Sequence, residues 1–69
     1  MIDEAVARTL ETHAALAEEV RAATPKAWGA LAGRGVVALR DRLGRAPTGA
    51  ERRALWDALW RAVHASADR

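Results

Sequence analysis

Residues 43–64 read Leu-Gly-Arg-Ala-Pro-Thr-Gly-Ala-Glu-Arg-Arg-Ala-Leu-Trp-Asp-Ala-Leu-Trp-Arg-Ala-Val-His, and this stretch contains the clearest helix stop and start signals in the chain. Gly44 has no Cβ, so it can take the left-handed conformation that closes a helix. Pro47 lacks an amide hydrogen and disfavours helical angles at Ala46, so a helix cannot continue smoothly through it. The sequence therefore predicts that a helix ends near Leu43 and that a turn follows.

The residues after this turn predict a new helix from Gly49 to Ala65. Thr48 and Glu51 have the spacing of a capping box, in which each side chain accepts a hydrogen bond from the amide of the other residue. Downstream, apolar residues recur at spacings of one, three and four, which is typical of one apolar stripe along a helix. This stripe consists of Leu55, Trp56, Leu59, Trp60 and Val63.

Two further helices are predicted upstream of the turn, from Ile2 to Ala23 and from Pro25 to Leu43. The first segment has apolar residues at helical spacing and contains neither glycine nor proline. Thr24 is expected to cap the second helix, with Pro25 at the first helical position, where a missing amide hydrogen costs nothing. The three segments, joined by short turns, predict an all-α antiparallel three-helix bundle.

The second of these helices contains three glycines, which weaken it. Gly29, Gly33 and Gly35 each cost about 1 kcal/mol relative to alanine in a helix interior. Either tertiary contacts hold this helix together, or it breaks near Gly33–Gly35. Gly29 and Gly33 are also four residues apart, a spacing that lets another helix approach closely. Val37 falls on the polar side of the same helix and is expected to be an exposed apolar group.

The length and composition of the chain predict one small domain, residues 1–69, that gains stability from a partner. A single core below about 70 to 80 residues supplies only about 3 to 5 kcal/mol, so small domains usually add disulfides, a metal or another chain. The sequence contains no cysteine, which excludes disulfides, and only two histidines, which makes a structural metal improbable. Self-association is the stabilising device that remains.

The sequence also indicates a cellular context. The start, Met-Ile-Asp-Glu, is acidic and no apolar stretch approaches membrane-spanning length, so we expect neither a signal peptide nor a membrane span. A cytoplasmic location is the default expectation. Ten arginines against one lysine, together with eighteen alanines, indicate a high-GC bacterium and are compatible with a thermophile.

Three tryptophans and one histidine are the candidate interface residues. Each tryptophan side chain can bury about 150 to 250 Å² of surface, and two of them one turn apart are difficult to bury fully in so small a core. The alternatives are that all three tryptophans lie in the monomer core or that at least one lies at an interface. His13 falls in the apolar arc of the first helix, where it is either a packed or interface histidine or a ligand, proton switch or base. The candidates are His13, Trp28, Trp56 and Trp60.

Charge is distributed unevenly along the chain. Residues 1–25 contain five acidic side chains and two arginines, whereas residues 26–53 contain seven basic side chains and two acidic ones. The two parts either attract each other, within or between subunits, or the arginines around the turn contact phosphates. The candidate anion or nucleic-acid contacts are Arg40, Arg45, Arg52 and Arg53.

These features favour a protein-interaction role. We expect no enzyme, because the chain has no cysteine or tyrosine, a single serine and no paired carboxylates within an apolar face. We also expect no cofactor. The predicted function is a small helical interaction module that serves as an accessory or regulatory subunit. Its expected partner is a second copy of itself, most simply in a homodimer, or another protein. The alternative is a nucleic-acid-binding protein that uses the arginines of residues 34–53.

Overall fold

The computed structural model describes residues 1–65, which form four α-helices and no β-strand. The helices are α1 (Ile2–Thr12), α2 (Ala14–Arg21), α3 (Ala27–Leu43) and α4 (Gly49–Ala65). The all-α prediction is therefore confirmed. The prediction of three helices is wrong, because the first predicted helix is divided into α1 and α2.

The division between α1 and α2 lies at His13. This residue has φ −122° and ψ 45°, far from the helical values near −63° and −42°. The amide of His13 still donates to the carbonyl of Thr9 at 2.9 Å, and the amide of Ala17 donates to the carbonyl of His13 at 3.0 Å. The chain therefore bends at one residue and resumes its helix at once. Neither glycine nor proline lies near this bend, and nothing in the local sequence explains it.

The connection from α2 to α3 also differs from its prediction. Ala23 is left-handed, with φ 59°, and the amide of Thr24 donates to the carbonyl of Glu19 at 2.9 Å. This is a Schellman motif that closes α2 with an alanine where glycine is usual. Lys26 is left-handed as well and precedes α3, so the predicted helix start at Pro25 is wrong. Thr24 contributes its backbone carbonyl, which accepts from the Ala27 amide at 3.1 Å, rather than a side-chain cap.

Helix α3 is continuous from Ala27 to Leu43, so the break considered near Gly33–Gly35 does not occur. The reason is packing at Gly35. A Cβ at this position would lie 3.2 Å from Cδ2 of Leu59 and 3.4 Å from Cδ2 of Leu55. The backbone of α3 therefore rests directly on the leucines of α4, and these contacts stabilise the helix through its glycines.

The end of α3 and the start of α4 follow their predictions. Gly44 is left-handed, with φ 73°, and its amide donates to the carbonyl of Arg40 at 2.9 Å. The capping box is formed, because the Thr48 amide donates to Glu51 at 2.8 Å and the Glu51 amide donates to the Thr48 hydroxyl at 3.1 Å. Both signals are local, which is why the sequence alone was sufficient to predict them.

The core is built from small and medium aliphatic side chains. Within residues 1–65, Thr9 is the buried polar residue, and its hydroxyl donates to the carbonyl of Ala5 at 2.7 Å. None of the three tryptophans lies in the fully buried core. The buried apolar residues are Ala5, Val6, Ala17, Val20, Ala27, Leu31, Ala32, Ala38, Leu39, Leu55, Leu59 and Val63.

Polar contacts join the helices around this core. An ion pair between Glu4 and Arg42 connects α1 to α3, and a guanidinium nitrogen of Arg21 donates to the carbonyl of Val63 in α4 at 3.1 Å. Across residues 1–65, no helix combines the length and apolar character needed to cross a bilayer.

Candidate functional site

The outer face of α3 presents apolar surface to solvent. Val37 is 46% exposed, which confirms its prediction as an exposed apolar group. One and two turns before it on the same face lie Gly33 and Gly29. Together with Ala30 and Arg34, these residues line a shallow groove of about 260 Å³, which we call the α3 groove.

Gly29 and Gly33 are not packed against other parts of residues 1–65. A Cβ at either position would meet no atom of a neighbouring element of this range within 4 Å, whereas a Cβ at Gly35 would press on two leucines of α4. Each exposed helical glycine nevertheless costs about 1 kcal/mol relative to alanine. Internal packing therefore explains Gly35 but leaves Gly29 and Gly33 without a structural purpose inside one chain.

An aromatic cluster borders the Gly29 end of this groove. Trp28 precedes Gly29, and the ring of Trp60 packs edge-on against Trp28, with 5.1 Å between centroids and an interplanar angle of 85°. The ring of His64 lies against the other side of the cluster, 4.0 Å from the centroid of Trp60. Its Nδ1 lies 2.9 Å from the Trp60 carbonyl, an acceptor, so this nitrogen carries the hydrogen. Even with these contacts, Trp60 is 46% exposed.

The third tryptophan has a different position. Trp56 is half-buried, and its indole Nε1 donates to the carbonyl of Ala32 at 3.2 Å. This bond and the Trp28–Trp60 contact pair early residues of α3 with late residues of α4, which shows that the two helices are antiparallel. Among the predicted interface candidates, Trp60 is therefore the one with the most surface left for a partner.

His13 lies apart from the tryptophan contacts. It is half-buried at the bend between α1 and α2 and lines a second, polar groove between α1 and α3. Arg8, Thr12, Arg34 and Asp41 line the same groove. Arg8, Thr12 and Asp41 were not among the residues that the sequence singled out for a site, whereas Arg34 belongs to the arginines of residues 34–53 considered for nucleic-acid binding. Only the packing of α1 on α3 brings these groove residues together, and no local sequence pattern indicates that they are neighbours.

The four arginines predicted as anion contacts are not equivalent. Arg45 makes a two-bond ion pair with Glu51, at 2.8 and 2.9 Å, and also donates to the carbonyl of Ala46. Arg52 donates to the carbonyl of Pro47 at 3.3 Å. The other two, Arg40 and Arg53, are exposed and form no ion pair within the described part of the chain. The turn thus holds fewer uncompensated cations than the sequence suggested.

The hydrogen bonds at Glu51 also change its protonation. The Arg45 guanidinium, followed by the Thr48 amide, lowers the pKa of Glu51 from 4.5 to about 2, because both donors favour the charged carboxylate. The same pair raises the pKa of Arg45.

Within residues 1–65, no group of three or more histidine, aspartate or glutamate side chains is arranged to hold a metal ion. No family model, curated protein or solved structure matches this chain. The candidate site therefore rests on its geometry: the α3 groove with its aromatic border, and the polar groove beside His13.

Proposed function

We propose that this chain is a small helical interaction module that self-associates, most simply as a homodimer, and serves as an accessory or regulatory subunit in the cytoplasm. The single observation that carries the proposal is the α3 groove. Its two glycines are open to solvent and unused by internal packing, and an exposed valine lies one turn beyond them. A partner helix that approaches the glycine backbone closely gives these residues a purpose.

The spacing of these residues favours a second copy as the partner. When two α3 helices cross in antiparallel orientation about a two-fold axis at Gly33, Val37 of each copy lies opposite Gly29 of the other. The Val37 side chain of each copy then fills the space beside Gly29 of the other copy, where there is no side chain. The interface is therefore self-complementary, as a two-fold dimer requires. Trp60, which packs on Trp28 and is still partly exposed, offers further apolar surface to the partner.

Substitution of Val37 tests this interface. Val37→Lys is expected to reduce the assembly to monomers, because an ammonium group would have to be buried against the partner helix. Ala15→Lys, at an exposed position of α2, adds the same charge away from the groove and is the matched control. Sedimentation velocity of both variants and the parent protein at equal concentration gives the answer. An unchanged assembly in Val37→Lys contradicts the proposed interface.

Salt dependence separates this proposal from nucleic-acid binding through the arginines of residues 34–53. Apolar association persists when salt is raised, whereas binding to duplex DNA through phosphate contacts weakens steeply. Tight, salt-sensitive binding of generic duplex by a chain that stays monomeric would favour the nucleic-acid function. Assembly that survives replacement of Arg45, Arg52 and Arg53 by alanine supports the interaction module.

A further inference from the structure

The polar groove between α1 and α3 gathers charged and polar groups from both helices. Arg8 and Thr12 come from α1, His13 lies at the bend that follows, and Arg34 and Asp41 come from α3. The groove has a volume of about 180 Å³. It differs from the turn with the arginine cluster, which lies between α3 and α4.

The charged side chains that line this groove form no ion pairs within residues 1–65. Neither Arg8, nor Arg34, nor Asp41 forms an ion pair with any residue of the described chain. By contrast, Arg21, Arg42, Arg45 and Arg61 each pair with a carboxylate. Two arginines, one from each helix, therefore line one groove that contains a single aspartate. This excess of positive charge attracts an anion and repels a cation.

We propose that this groove binds a small oxyanion, the phosphate or carboxylate group of a small molecule. The guanidinium groups of Arg8 and Arg34 supply charge-assisted hydrogen bonds, because their planar arrangement of donors matches the oxygens of a phosphate or carboxylate. The hydroxyl of Thr12 and the ring of His13 offer further donors at the rim. Val37 and Ala38 form an apolar wall for the carbon skeleton of the ligand.

The groove has room for the oxyanion group of a ligand: its volume is about 180 Å³, and a cavity of about 150 Å³ holds a molecule as small as benzene. Because it is an open groove, this volume sets no upper limit on the rest of the molecule. Arg34 and Val37 also line the α3 groove, whereas Arg8 and Thr12 belong to the polar groove alone. Variants of Arg8 thus test this site without touching the proposed dimer interface.

A titration with inorganic phosphate, followed by amide NMR shifts at constant pH and ionic strength, tests the site. We expect saturable shifts at Arg8, Thr12, His13 and Arg34. Arg8→Gln should raise the Kd for phosphate about tenfold, because it removes one charged donor. The control is Arg61→Gln, an exposed arginine of α4 outside the groove whose loss changes the net charge equally. Its Kd should stay within about twofold of the parent value.

A parallel titration with acetate identifies the source of the oxyanion. Tighter binding of phosphate assigns a phosphoryl ligand, and tighter binding of acetate assigns a carboxylate. Shifts that grow linearly without saturation, or an equal loss in Arg8→Gln and Arg61→Gln, would overturn the proposal, because both indicate only diffuse attraction to a basic protein. Arg34→Gln should reproduce the loss seen with Arg8→Gln, so a fault in one variant cannot decide the result.

Discussion

At the scale of single residues, Glu51 has the densest set of interactions at the start of α4. Its carboxylate accepts from the Thr48 amide and from both terminal nitrogens of Arg45. The turn, the cap and the ion pair thus meet at one side chain. Because the pKa of this group is about 2 in the folded chain and 4.5 as its ordinary value, its contribution to stability depends on pH.

The lowered pKa sets the direction of that dependence. Glu51 contributes its full stabilisation above its unfolded pKa, and the contribution is lost as pH falls from about 5 towards 2. We expect Glu51→Gln to lose less stability than the parent protein across this range, since the glutamine does not titrate. Urea unfolding at neutral and acidic pH measures the difference. Glu19→Gln, at an exposed position with no ion pair in the described chain, should follow the parent protein. An equal acid loss in Glu51→Gln and the parent would show that the pair is unimportant.

At the scale of elements, the end of α2 carries a backbone cost. Ala23 adopts φ 59°, a conformation that costs an L-residue about 1 to 2 kcal/mol and glycine little. Ala23→Gly should therefore raise the free energy of unfolding by about 1 kcal/mol. Ala22, the neighbouring residue, has φ −80° and gains nothing from glycine, so Ala22→Gly is expected to be neutral or destabilising. Thermal melts of both variants compare the two positions. A destabilised Ala23→Gly would contradict the observed Schellman closure.

The glycines of α3 separate internal packing from partner contact. In the Val37→Lys background, Gly29→Ala and Gly33→Ala should each stabilise the monomer by about 1 kcal/mol, because their Cβ atoms meet nothing. In the parent background, the same changes should weaken assembly. Gly35→Ala should gain less stability than either of these changes in both backgrounds, since its Cβ would lie 3.2 Å from Leu59 and that side chain would have to shift. Chemical unfolding together with sedimentation distinguishes these effects. Glycine-to-alanine changes that stabilise the monomer and leave assembly intact would remove the argument for the α3 groove.

The same comparison of elements shows what the sequence could and could not predict. The closure of α3 at Gly44 and the cap of α4 at Thr48 were predictable, because each depends on residues within one turn. The bend at His13 was not, since it has no local breaker. The glycines showed that α3 could break, but the sequence did not predict that it is continuous, because its continuity depends on contacts with Leu55 and Leu59 of α4. The α3 groove follows from the spacing in one helix, whereas the polar groove depends on the packing of two.

At the scale of the whole molecule, the aliphatic core and the tryptophans have separate tasks. The leucines and valines fill the interior, while Trp28 and Trp60 form an edge-to-face pair beside the α3 groove. The uneven charge is only partly resolved within one chain. Of the ion pairs within residues 1–65, Glu4–Arg42 is the one that joins the acidic first segment to the basic middle segment. Charged side chains of residues 1–65 that form none of these ion pairs, such as Arg40 and Arg53, can orient a partner.

The most direct test of the central claim is the molar mass of the parent protein in solution. Light scattering over a roughly hundredfold range of concentration follows the assembly by mass action. We expect a mass of twice the 7.4 kDa of one chain, approached as concentration rises and unchanged by added salt. A mass that stays at 7.4 kDa over the whole range would contradict self-association through the α3 groove.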